Sequence, residues 1–111
     1  MGPIASSAPP RAHPSTKGGR VPRYVIERVL GDITDDELWQ VAERSKRIRE
    51  DGFPEIDWEH SHVVRTNGGL TSLCIYTAPD VRAIRDHAAA VGMPADHIHE
   101  IHADIVPQEL P

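Results

Sequence analysis

The chain has 111 residues, a net charge of −5, one cysteine and five aromatic side chains. That length suits one domain and not two, with a small and mostly aliphatic core. The lone Cys74 excludes an internal disulfide, no apolar run nears the roughly 18 to 20 residues that cross a bilayer, and the N-terminus lacks a continuous apolar secretory segment, so a cytoplasmic protein is expected.

The charge is uneven. Residues 1–22 hold Arg11, Lys17 and Arg20 and no acid, a charge of +3, which leaves −8 for the remainder. An acidic folded part argues against nucleic acid as a partner, because phosphate binding is driven by Lys and Arg. It is compatible with binding a cation.

Residues 1–22 contain five of the ten prolines and the pair Gly18-Gly19, with no helical or strand period. A disordered leader is expected there, with His13 given no role. Arg23 to Leu30 reads as a strand, apolar on both parities, with Val25 and Val29 on one face and Tyr24 and Ile26 on the other. Two-sided burial of that kind suits a central strand. Glu27 breaks the pattern, either as a strand-end charge that reaches solvent or as a functional carboxylate.

Thr34-Asp35-Asp36-Glu37 fits a capping box, and Leu38, Val41, Ala42, Ser45 and Ile48 follow at helical spacing until Gly52 and Pro54. Residues 56–64 form the second strand. Asn67-Gly68 is a strong hairpin signal, and Leu70 to Thr77 is the returning strand. Asp80 caps a second helix with the stripe Val81, Ile84, Ala88 and Val91, ended by Gly92 and Pro94. His97 to Val106 reads as a last strand closed by Pro107, with residues 108–111 as a short tail.

The order β-α-β-β-α-β over residues 23–107 is the split βαβ pattern of an α+β, ferredoxin-like domain. It predicts a four-stranded antiparallel sheet in the order fourth, first, third, second, with both helices on one face. The first and third strands carry apolar side chains on both faces, so the open face also needs a cover. A second copy packed sheet to sheet supplies it, and a homodimer is expected.

Six of the seven histidines lie between residues 60 and 102. Trp58, His60 and His62 alternate along one strand and are expected on one face. The two imidazoles would then stand about 6 to 7 Å apart at Cα, near enough to share one metal ion. His97 and His99 share a face of the last strand, and His102 has the opposite parity. Strands two and four are the sheet edges in this order, about 14 Å apart. His60 and His99 could therefore meet only across a dimer or belong to separate sites, with Glu27 able to join either. Blander roles fit several residues: His97 and His102 as solvated edge residues, His87 as a hydrogen-bonded histidine beside the second helical stripe, Trp58 as packing, and Cys74 as a small buried hydrophobe.

Several segments resemble a family of small bacterial ferredoxin-like proteins, long filed as a domain of unknown function, that includes a nickel-responsive, nickel-binding member. They are Tyr24-Val25-Ile26-Glu27-Arg28, Trp58-x-His60-Ser61-x-Val63, Cys74-Ile75-Tyr76-x-Ala78-Pro79, Ile84-Arg85-Asp86-His87-Ala88 and Gly92-Met93-Pro94-Ala95-Asp96. The resemblance implies a dimer, related in shape to α-β barrel proteins, that binds a divalent transition metal. Glu27, His60, Cys74 and His87 match residues typical of the family. His62 stands where the family usually has an aromatic, and His97, His99 and His102 are additions.

The leading expectation is a non-enzymatic nickel-binding protein for sequestration or sensing, with His60, His62, Glu27 and His99 as ligands and His87, Cys74 and Tyr76 as further candidates. Metal affinity should then fall below about pH 6 as imidazoles protonate. The alternative is a small cofactor-independent enzyme, of oxygenase or isomerase type, using a dimer cavity with His60, Tyr76 and Glu27 in acid–base roles. A third reading is a partner-binding module in which the histidines are incidental.

Overall fold

The structure, a computed structural model, describes residues 21–111. Most of the expected leader, with His13, lies outside the described residues. The elements run β1 (Arg23–Gly31), α1 (Asp35–Gly52), β2 (Asp57–Thr66), β3 (Gly69–Thr77), α2 (Val81–Val91) and β4 (His97–Glu100), followed by a 3₁₀ turn at Pro107–Glu109. The sheet is antiparallel throughout, in the order β2-β3-β1-β4. This is the ferredoxin-like α+β architecture expected from the sequence.

Local chemistry sets the helix limits. Thr34 accepts from the Glu37 N–H at 3.1 Å while the Glu37 carboxylate accepts from the Thr34 N–H at 2.9 Å, so two of the donors at the helix start are satisfied reciprocally. The Asp80 side chain accepts from the Ala83 N–H at 2.9 Å. Gly92 closes α2 in the left-handed region at φ 82°. The hairpin loop is Asn67-Gly68, between the paired residues Thr66 and Gly69. Gly69 has φ 115°, and a Cβ there would run into the backbone of Gly31, so the position requires glycine.

The even-numbered residues of β1 and β3 face the helices. Tyr24, Ile26, Cys74 and Tyr76 pack with Ile56, Ala78 and Ile84 in one core cluster, with Phe53, Trp58 and Ile98 at its margin. Val25, Glu27, Leu73 and Ile75 are left on the open face, half-buried.

One expectation needs correction. The last strand ends at Glu100, not near Val106. Glu100 pairs with Tyr24 and the Ile101 N–H reaches the Arg23 carbonyl at 2.8 Å, so β4 stops where β1 begins and has no further partner. The helix-facing side of β1 also includes Arg28, which is fully buried. Its Nη1 donates to the Pro94 carbonyl at 2.7 Å and its Nη2 to Tyr76 Oη at 3.3 Å, with the guanidinium 5.7 Å from the Tyr76 ring centre. Two of its nitrogens thus find oxygens and the guanidinium meets a ring face, which offsets part of the cost of burying the charge, while Nε is buried without a partner among the described residues.

Candidate metal site

Two rows of paired residues cross the open face. One runs His60, Ile75, Val25, His99; the other runs His62, Leu73, Glu27, His97. Paired residues of antiparallel strands project on the same side. The face therefore has an apolar centre, an imidazole pair on the β2 edge and another on the β4 edge.

The His60 and His62 ring centres are 5.0 Å apart and steeply inclined at 80°. Two imidazoles bound to one ion in tetrahedral fashion have ring centres about 5 Å apart, since each nitrogen lies 2.0 to 2.1 Å from the metal. The β2 pair fits that spacing. The His97 and His99 rings are parallel and 6.2 Å apart, a stacked pair that fits less well. His97 has a partner of its own, its Nδ1 lying 3.1 Å from Glu27 Oε1.

The expected ligand set is thus divided. Glu27, on β1, stands with the β4 edge two strands away from His60 and His62, and His99, on β4, is three strands away. Among the described residues, no group of three histidine, cysteine or acidic side chains converges where one metal ion could sit. His102 is exposed in the segment after β4.

The remaining candidates lie on the other side of the sheet. Cys74 is a buried free thiol, 3.7 Å from Ser72 Oγ. Tyr76 is buried against Arg28, and burial pushes its hydroxyl pKa up. His87 is fully buried beneath α1, its Nε2 3.2 Å from the Ser45 carbonyl and its ring edge-on to Phe53 at 5.3 Å. Burial lowers its pKa, and the nearby Arg28 and Arg49 charges push the same way. These residues build the core. The trio His60, Tyr76 and Glu27, expected for acid–base work, is likewise split by the sheet. An open depression lined by Leu30, Asp32, Ile33, Glu37, Gln40, Val41 and Arg44 contains none of them.

The expected shared face of Trp58, His60 and His62 is also corrected. Trp58 pairs with Tyr76 and His60 pairs with Ile75, which leaves Glu59 as an extra residue in β2. This β-bulge lets Trp58 point into the core, where its Nε1 donates to Ser61 Oγ at 2.9 Å, while His60 and His62 point outward.

The bulge residue is the one that alternation missed. Glu59 would share the Ser61 face in a regular strand. Instead its carboxylate accepts from Arg23 Nε at 2.8 Å and Nη2 at 3.1 Å, and from Thr77 Oγ1 at 3.2 Å. Arg23 and Thr77 are paired neighbours on the open face, and Arg23 also bonds Asp104. The Arg23 guanidinium holds the Glu59 carboxyl below the usual carboxylate range, with lesser help from Thr77 and His60. A signal for the bulge exists in the sequence: the parity that runs through apolar Ile56 and Trp58 turns polar at His60 and His62.

A crystal structure of SCO4226 from Streptomyces coelicolor A3(2) is similar to this fold, with a TM-score of 0.62 and 23% identity, over 75% of this chain and 99% of that one. At that identity the likeness concerns the fold. A comparison with curated proteins finds no match. The family model described as nickel responsive protein SCO4226-like matches residues 24–101, from the second residue of β1 to just past β4. The chain belongs to the SCO4226-like nickel responsive protein family.

Proposed function

We propose that the protein binds a divalent transition metal, nickel by the name of its family, through His60 and His62, and that it serves to sequester or sense that metal rather than to catalyse a reaction. The supporting observation is the imidazole pair on β2, with rings 5.0 Å apart on the open sheet face. Imidazole donors suit nickel, zinc and copper, and the family description favours nickel. A sheet-to-sheet homodimer accompanies this reading, because Val25, Leu73 and Ile75 form an apolar centre on a face that the helices leave uncovered. The buried free thiol of Cys74 suits a reducing cytoplasm, and no helix among the described residues is long and apolar enough to cross a membrane.

Metal content by mass spectrometry tests the reading, on protein purified without a histidine tag. The parent should hold or take up a transition metal near stoichiometry, and the double variant His60→Ala/His62→Ala should not. A parent that takes up no nickel, zinc or copper, or a double variant that binds as the parent does, sinks it.

A further inference from the structure

Two imidazoles leave a divalent ion short of protein donors, because stable sites for such ions use three or four. A carboxylate beside the β2 pair is needed, and Glu27 stands with His97 at the other edge. The bulge supplies a different one. Glu59 is adjacent to His60 in sequence, and its bonds to Arg23 and Thr77, paired neighbours on the open face, put its carboxylate on the same face as His60. We infer that Glu59 is the carboxylate ligand of the His60–His62 site, and that Arg23 competes with the metal ion for it. This rests on the reading proposed above and names the residue that the site lacks.

The chemistry is an exchange of cations on one carboxylate. In the structure the two Glu59 oxygens are taken by the Arg23 fork, with Thr77 Oγ1 as a third donor. Both side chains of the ion pair are about one-third exposed, at 31% and 30%. Such a surface pair is weak, and a divalent ion held by two imidazoles displaces it. The Glu59 side chain must swing from Arg23 and Thr77 toward the two rings, since the three side chains do not converge as they stand. Arg23 keeps a second acceptor, Asp104, so releasing Glu59 does not leave the guanidinium unpaired. A Glu-His-x-His segment thereby presents three donors from one stretch of strand, which regular alternation would forbid.

The test is nickel affinity by titration calorimetry on the full chain, for the parent and for Glu59→Gln, Arg23→Gln, Glu27→Gln, the double variant Arg23→Gln/Glu59→Gln, and His60→Ala/His62→Ala. Glu59→Gln should weaken binding by about tenfold or more, as loss of a ligand costs at least as much as loss of a residue that supports one. Arg23→Gln should tighten it by up to about fivefold, the most that a surface ion pair holds back. The double variant separates mechanisms. If Arg23 acts by holding Glu59, its removal gains nothing once Glu59 is gone; a general charge effect would persist. Glu27→Gln should bind as the parent does.

Parent-like binding by Glu59→Gln overturns the inference, and so does a persistent gain in the double variant. Loss in His60→Ala/His62→Ala beside a parent-like Glu59→Gln keeps the histidine site and removes Glu59 from it. A parent that binds no nickel removes both. Circular dichroism melts of each variant guard against loss of fold. The visible spectrum of bound cobalt(II) gives a second readout, since replacing a carboxylate donor changes it.

Discussion

Trp58 and His60 are two residues apart on β2 yet project from opposite faces of the sheet, because Glu59 is bulged out between them. One extra residue reconciles a core anchor with a polar pair at the same parity. Without it, a regular strand would bury His60 and His62 or expose the indole.

Removing Glu59 by deletion should leave the fold intact. Trp58 and His60 would become neighbours, so they would still face opposite sides, and the pairs Trp58–Tyr76 and His60–Ile75 would join in a regular ladder. What is lost is the Arg23 ion pair, worth about 1 kcal/mol or less at this exposure. Urea unfolding should find the deletion within roughly that margin of the parent, with the tryptophan emission maximum unchanged. An unfolded or red-shifted protein would mean that the bulge is needed for the fold itself.

Tyr76→Phe should cost about 1 to 2 kcal/mol in urea unfolding, since it strips the buried Arg28 of one of its two acceptors. Nickel affinity should not change, because Tyr76 faces the helices and His60 faces away. A fall in affinity at unchanged stability would place Tyr76 in the site.

His87 should make stability depend on pH. Its folded pKa is lowered from 6.5 by burial, so the folded chain favours the neutral ring. Arg28 from β1 and Arg49 from α1 add charge repulsion, Tyr76 and Phe53 line the ring, and only the Ser45 carbonyl accepts from it. The unfolded chain binds the proton more readily. Stability is therefore full above about pH 6.5 and falls as pH drops below that value, where the unfolded state gains protons first. His87→Gln, which can still donate to the Ser45 carbonyl, should flatten the melting temperature between pH 7 and pH 5 relative to the parent, by an amount to be read from melts at matched ionic strength. Parallel curves for the two proteins would contradict this.

Gly69→Ala should destabilise by about 1 to 3 kcal/mol, from the positive φ and the close approach of Gly31, seen as a lower urea midpoint with unchanged slope. Gly68→Ala, which meets open space, is the control and should cost less.

The sequence by itself determined the element order, the helix caps, the hairpin and the pairing of His60 with His62. Each of these is a local matter. Thr34 and Glu37 find each other across one turn, Asn67-Gly68 chooses its own turn, and residues two apart share a face wherever the strand is regular. Only the tertiary structure decided which face the helices cover, where β4 ends, and which charged residues meet. Glu27 met His97 because β1 lies beside β4, and Arg28 became buried because its parity faces the helices. Glu59 reached the histidine face because β2 slips one residue against β3 to seat Trp58 against Tyr76. Register between strands is set by packing over the whole sheet, and a single extra residue reverses every face assigned by counting along the chain.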